Sequence, residues 1–207
     1  MEYHKIQSIF KRNEKGSFID GDFSCPEFSY LFNNNWIGTE KIDGTNIRVY
    51  WDGRDAYFYG RTNKAQIPEH LLAELKNIFN NASLFEVFGE KEIILFGEGY
   101  GSRIQKGGGN YIKDGTSFIL FDVLVESFWL RRDNIMDIAN ELKIKYVPEI
   151  FRGTLKSAID FTKKGFASVV AETETLAEGL VLIPEVHNMF NHQGKRIITK
   201  IKTKDFK

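Results

Sequence analysis

The sequence predicts an α+β domain with mostly antiparallel sheets. Three observations predict it. Aromatic residues make up 14% of the 207 positions, 18 of them Phe, and aromatic side chains favour strands. Strand-like and helix-like stretches interleave without the regular alternation that builds a parallel sheet. Two of the strand-like stretches, residues 92–98 and 117–126, are apolar, β-prone and bounded by glycine.

The remaining elements follow along the chain. Residues 47–51 and 56–59 flank Asp52-Gly53 and read as a hairpin, with a connection that can exceed two residues. Residues 68–79 open on Pro68, which suits a first helical position. Leu71, Leu72, Leu75, Ile78 and Phe79 then recur at helical spacing. Residues 132–142 place Ile135, Met136, Ile138, Ala139 and Leu142 in the same way. Residues 154–164 form a third helix with Thr154 as its N-cap. Residues 179–184 have a short buried-strand pattern, and residues 196–202 alternate imperfectly. There is no internal repeat, low-complexity tract or long linker, so residues 1–207 read as a single domain.

Composition narrows the function. Basic and acidic residues number 28 each, so total charge gives no support for a nucleic-acid partner. A local basic patch remains at the C-terminus, where Lys195, Arg196, Lys200, Lys202, Lys204 and Lys207 are opposed by Asp205 alone. Cys25 is the one cysteine, which excludes an internal disulfide. Residues 1–15 carry charges throughout, and no run approaches the roughly 18 apolar residues of a membrane span. A cytoplasmic protein without a membrane partner is expected. Gly97-x-Gly99-x-Gly101 lacks the context of a dinucleotide fingerprint, and no P-loop pattern occurs. His187 and His192 have no standard metal spacing and read as surface residues.

The sharpest local signal is Thr39-Glu40-Lys41-Ile42-Asp43-Gly44-Thr45-Asn46. Taken alone, Asp43-Gly44 is a turn and Lys41 a solvated lysine at a strand end. Four further clusters follow in order. They are Arg61 in Tyr59-Gly60-Arg61-Thr62, Glu98 in Phe96-Gly97-Glu98-Gly99, Phe121-Asp122 in an apolar run, and Glu178-Gly179-Leu180-Val181. Lys200-Ile201-Lys202 closes the set, its two lysines on one face of a strand.

This ordered set resembles the covalent nucleotidyltransferases: ATP-dependent DNA ligases, RNA ligases and mRNA capping enzymes. Each motif is weak singly, and the resemblance spans residues 39–202. It implies a nucleotidyltransferase domain of ATP-grasp-like type, with two mainly antiparallel sheets and flanking helices. It implies that Lys41 takes AMP from ATP with Mg²⁺ or Mn²⁺ present, and that Lys200 and Lys202 assist catalysis. It assigns Glu98 to the ribose, Phe121 to stacking on adenine and Glu178 to the metal. Glu40, Asn46 and Arg61 join the nucleotide-binding set, as do Lys200 and Lys202. An ordinary lysine, with a pKa of about 10.4, is a poor nucleophile near neutral pH. Desolvation and neighbouring cations such as Lys200, Lys202 and a metal would lower that value.

Asn46 stands where DNA ligases and capping enzymes usually carry arginine. Thr45-Asn46 resembles instead the RNA ligase 2 family, which includes RNA-repair ligases. The expected reaction is ATP-dependent joining of 5′-phosphate and 3′-hydroxyl RNA ends, in a nicked duplex or single strands. A separate end-healing or RNA-binding partner is a further expectation. A DNA ligase or capping-type enzyme is the nearest alternative, and a non-catalytic nucleotide- or RNA-binding module is the alternative of another class. Most ligases continue past the last motif into an OB-fold or helical domain. Here the chain stops five residues after Lys202, and neither domain is expected. The glycine-rich segment 99–115, with Arg103 and Lys106, reads as an RNA-contacting loop or a plain surface connection.

Overall fold

The computed structural model describes residues 1–186 and 188–206; His187 and Lys207 lie outside the described residues. The chain begins with β1 (Gln7–Ser8), β2 (Phe10–Arg12), β3 (Phe18–Phe23), α1 (Pro26–Tyr30) and β4 (Asn35–Lys41). It continues through β5 (Thr45–Trp51), β6 (Ala56–Gly60), α2 (Glu69–Ile78), α3 (Asn81–Phe88), β7 (Ile93–Gly101), α4 (Gly108–Tyr111), β8 (Thr116–Val125) and β9 (Phe128–Trp129). Then come α5 (Arg132–Glu141), β10 (Lys145–Tyr146), β11 (Glu149–Thr154), α6 (Leu155–Lys164), β12 (Gly179–Pro184) and β13 (Thr199–Lys202). A 3₁₀ turn follows at Thr203–Phe206. The architecture is α+β, with two main sheets, mostly antiparallel and flanked by helices, and a small ribbon of β2 with β3. Among the described residues no helix is long and apolar enough to cross a membrane.

Two compact units share the chain. One holds residues 1–4, 43–147 and 171–173, and the other holds 5–42, 148–170 and 174–207. The first contains the larger sheet, in the order β10-β8-β7-β5-β6 with β9 beside β8. Its pairs are antiparallel except β10 with β8. Ile47, Val49, Trp51, Leu95, Phe118 and Leu120 line one sheet face and bury against Leu71 and Leu75 of α2, Leu84 of α3, and Ile135 and Ala139 of α5. The apolar spacing of α2 and α5 therefore does what it predicts, with helix bounds within one residue or so of expectation. The hairpin of β5 and β6 turns through residues 52–55, where the Asp52 carboxylate accepts from the amides of Arg54 and Asp55 at 2.8 Å each.

The second unit holds the five-stranded sheet, in the order β1-β13-β12-β4-β11, with β1 parallel to β13 and the other pairs antiparallel. Trp36, Leu180, Leu182 and Ile201 bury against Leu155, Ala158 and Ile159 of α6. Thr154 caps α6, its hydroxyl accepting from the Ser157 amide at 3.2 Å. Ile9, Phe10, Phe28 and Leu31 complete this core.

Candidate functional site

The five-stranded sheet assembles a cationic cluster by register. Gly179 opens β12 and pairs with Lys41 of β4 on one side and Lys202 of β13 on the other. Residues directly opposed on neighbouring strands point to the same face. Lys41 and Lys202 therefore stand level on one face, with a glycine between them. Glu178, one residue earlier, joins them: its Oε2 accepts from Lys41 Nζ at 2.6 Å and its Oε1 from Lys202 Nζ at 2.6 Å. Lys200 shares the face one level along, opposite Val181, which itself pairs with Thr39.

These groups are mostly withdrawn from water. Side-chain exposure is 20% for Lys41, 13% for Glu178 and 22% for Lys202. Burial alone pushes the Glu178 carboxyl up, but the two ammonium groups outweigh it and hold it below the usual value. Lys200 is pushed below the ordinary lysine value, first by burial and then by Lys41 and Lys202, against the pull of Glu178.

Gly179 is what allows the three strands to close up. Its φ is +153°, and a Cβ placed there would lie 2.0 Å from the Ile201 carbonyl oxygen. Gly44 has a similar reason in the other unit, where a Cβ would lie 2.4 Å from the Gly99 carbonyl oxygen and 2.7 Å from Glu98 Cγ.

Glu40 does not join Lys41. It is the preceding residue on a strand and faces the other way, at the level of Leu180 on the core side. Its carboxylate is buried, accepts from the Val169 amide at 2.9 Å and from the Ser168 hydroxyl, and has its pKa raised by burial despite those hydrogen bonds.

The six-stranded unit carries the remaining candidates. Asn46 and Glu98 are direct partners across β5 and β7. Asn46 Oδ1 is buried without a hydrogen-bond partner among the described residues, an acceptor that a ligand donor would satisfy. Phe121 sits where the β7–β8 register shifts. Phe96 pairs with Asp122 and Gly97 with Leu120, so Phe121 is the extra residue of a bulge. Bulges re-aim side chains, and this one sets the Phe121 ring edge-on to Tyr3 at 5.2 Å. Arg61 is exposed, just past the end of β6.

Tyr3 and Ser168 had no signal of their own in the sequence. Tyr3 is 6% exposed, stacks on His4 and donates to Asp122 Oδ2 at 2.9 Å, a contact across 119 positions. Such separation is invisible to any local pattern. His192 is exposed.

The protein groups at the lysine cluster fit one kind of metal site. Among the described residues no three His, Cys, Asp or Glu side chains converge on a point. Glu178 is a single carboxylate. That suits Mg²⁺ or Mn²⁺ shared with substrate phosphates and water, rather than a cage made by protein alone.

Comparison with known proteins adds the following. The RNA ligase family profile matches residues 34–202. No curated protein matches the chain in sequence. Among solved structures, the chain is similar to the Naegleria gruberi RNA ligase. A mutant of that ligase with ATP and Mn superposes with a TM-score of 0.69 at 16% identity, over 98% of this chain and 56% of that one. A second mutant with ATP and Mn gives 0.65 at 18% identity, over 86% and 52%. The ligase with PPi gives 0.65 at 17% identity, over 99% and 62%. The likeness is one of fold, and the chain spans about half to three-fifths of the length of these structures.

Proposed function

We propose that this chain, which belongs to the RNA ligase family, joins RNA ends with ATP through an AMP carried on Lys41. The observation that carries the proposal is the contact of Lys41 and Lys202 with the one carboxylate of Glu178, on a face shared with Lys200.

The chemistry follows from these groups. Lys41 Nζ, having shed a proton, attacks the α-phosphorus of ATP. A phosphorus–nitrogen bond forms, the bond to the bridging oxygen breaks and pyrophosphate leaves. A 5′-phosphate oxygen of RNA then displaces Lys41 from the AMP. Finally a 3′-hydroxyl attacks the RNA phosphate and AMP leaves. Glu178 orients the Lys41 amine and is its nearest charged acceptor. Lys200 and Lys202 bring fixed positive charge to a reaction whose catalysis is largely positioning and electrostatics. Mg²⁺ or Mn²⁺ held through Glu178 and phosphate oxygens would neutralise further phosphate charge. The roles of Asn46, Arg61, Glu98 and Phe121 in holding the nucleotide rest on motif order. For Glu40 we favour holding the loop at Ser168 and Val169 over contact with the nucleotide, because its carboxylate already serves that loop.

The test is incubation with ATP and Mg²⁺ followed by mass spectrometry of peptides. One AMP on Lys41 is expected, with none on Lys41→Ala. Label on another residue, or no label, sinks the mechanism. RNA rather than DNA should supply the preferred 3′-hydroxyl end, since Asn46 replaces the arginine of DNA ligases. A site that reads a 2′-hydroxyl loses alignment when the ribose is deoxy, and about 1 Å of misplacement costs on the order of 10²-fold in rate. Equal sealing of matched pre-adenylylated substrates with DNA 3′ ends would restore the DNA-ligase reading.

A further inference from the structure

The strand that carries Lys200 and Lys202 is braced where its sheet partners run out. The Thr203 amide donates to the Glu178 carbonyl at 2.9 Å, so it faces the β12 side. Amides alternate sides along a strand, so the Lys202 amide faces the other way, toward the β1 side. There β1 has already turned off. Its pairing with β13 ends with Ser8 opposite Lys200 and the Ile9 amide on the Lys200 carbonyl, and the Ile9 carbonyl accepts from the Ser24 amide instead. The Lys202 amide is met by a carboxylate: Asp205 Oδ2 accepts from it at 3.1 Å. An amide withdrawn from water needs an acceptor, and here a side chain supplies what a neighbouring strand would have given.

Asp205 is itself held. Its side chain is 3% exposed, and its Oδ1 accepts from Arg12 Nη2 at 2.7 Å. Arg12 reaches it from β2, with Nη1 on the Gly16 carbonyl at 2.8 Å and the guanidinium 4.5 Å from the centre of the Phe18 ring. Phe18 in turn lies edge-on to Phe206, the residue after Asp205. A charge-assisted bond in a dry place is stronger than the same bond in water. The Thr203 hydroxyl also donates to the Ala177 carbonyl at 3.1 Å. The turn at Thr203–Phe206 thus ties down the backbone on both sides of the lysine–carboxylate contact, at Glu178 and at Lys202. All of these residues belong to one compact unit.

We infer that Asp205, anchored by Arg12, is a positioning residue: it fixes the Lys202 backbone so that the Lys202 ammonium stays level with Lys41 on Glu178. Neither Asp205 nor Arg12 belongs to the motifs, and both act through Lys202 rather than on the nucleotide. The inference rests on the adenylylation reading above, in which Lys202 supplies fixed positive charge. The arrangement calls for a carboxylate at position 205. Two donors converge there, and two acceptor oxygens serve them. Asparagine has the same shape but a single acceptor oxygen, so one donor would face an amide N–H.

The experiment compares the wild type with Asp205→Ala, Asp205→Asn, Arg12→Ala and Arg12→Lys, with Lys11→Ala as control. Lys11 is the neighbouring residue on β2 and pairs with Asp22 at the surface, so its loss removes the same charge without touching Asp205. Lysyl-AMP formation is followed well below each melting transition, in variants with native circular dichroism. For the Asp205 variants and Arg12→Ala the maximal rate should fall about tenfold or more, since about 1 Å of misplacement costs on the order of 10²-fold. The KM for ATP should hold, the sign that an interaction specific to the transition state has been lost. Arg12→Lys, which keeps the charge, should fall between Arg12→Ala and the wild type, and Lys11→Ala should match the wild type. A wild-type rate in folded Asp205→Ala would overturn the inference; if that variant does not fold, the rate of Asp205→Asn decides in the same way. An equal loss in Lys11→Ala would also overturn it, because net charge would then be the cause, as would a loss confined to KM. Amide hydrogen exchange followed by NMR separates the inference from the reading beneath it. Exchange at Lys202 should quicken about tenfold in Asp205→Ala, the scale of one hydrogen bond. If the wild type forms no adduct, the ligase reading falls, yet faster exchange at Lys202 still supports the bracing and unchanged exchange refutes it.

Discussion

Glu178 is the residue on which the site turns, because it keeps Lys41 and Lys202 from facing each other as bare like charges. Replacing it by glutamine removes two short ion pairs from a mostly dry location. Breaking one partner from a buried network costs more than the pair itself contributes, here about 1–3 kcal/mol. At about 2–4 °C per kcal/mol for a chain of this size, the melting temperature of Glu178→Gln should fall by several degrees at pH 7. The pH dependence has a definite sign. The folded carboxyl is held below its unfolded value, so its contribution is present above the ordinary carboxylate pKa and is lost as pH falls through the folded value. The gap in melting temperature between wild type and Glu178→Gln should therefore narrow as pH falls below the ordinary carboxylate value of 4.5. A gap that does not narrow at all on acidification would show that packing, not charge, holds the residue. Adenylylation of Lys41 should fall far more than stability does.

At the scale of elements, the approach of β12 to β13 is tightly constrained by sequence chemistry. A Cβ at position 179 would collide with the Ile201 carbonyl, and strands cannot part there without separating Lys41 from Lys202. Gly179→Ala should cost about 3 kcal/mol or more, from a backbone conformation disfavoured for side chains plus the clash. Gly109→Ala is the matched control. It sits in α4, where an added Cβ meets nothing within 4 Å, and should be neutral or stabilising by up to about 1 kcal/mol. Urea melts of the two variants check both. Comparable stabilities would show that β13 yields easily. The cap of α6 offers a smaller test: Thr154→Ala should cost about 1 kcal/mol in the same melts, by leaving the Ser157 amide without its acceptor.

The molecule as a whole depends on residues that the family match does not include. That match begins at residue 34, yet the first 33 residues place Tyr3 in one unit and Ile9, Phe10, Phe28 and Leu31 in the core of the other. Arg48 is also tied to this region, donating to the Met1 carbonyl at 2.8 Å. Loss of one buried Phe costs about 3–5 kcal/mol, and the whole stability of a domain is about 5–15 kcal/mol. A chain starting at residue 34 should therefore fail to fold cooperatively, with no sigmoidal thermal transition by circular dichroism. A cooperative melt near that of residues 1–207 would show that the segment is dispensable.

The sequence by itself determined the α+β class, the three long helices and the lysines and glutamate of the cluster. Those signals are local or ordered: helical spacing in α2 and α5, a hydroxyl cap before α6, and motifs met one after another along the chain. It put Lys41 at a strand end but did not reveal where β4 begins or what pairs with it. Gly38, Glu40 and Lys41 are poor strand formers, and Asn35–Lys41 is extended because β11 and β12 pair with it on both sides. Without those bounds and partners, the core-side burial of Glu40 opposite Lys41 was not read, although it follows from simple alternation once the strand is placed in its sheet. The bulge at Phe121, the four-residue turn at 52–55 and the docking of Tyr3 on Asp122 were likewise decided only in the tertiary structure. The bulge and the Tyr3 contact depend on partners far away in sequence, whose positions are set by burial and register, whereas the turn is closed locally by the Asp52 carboxylate.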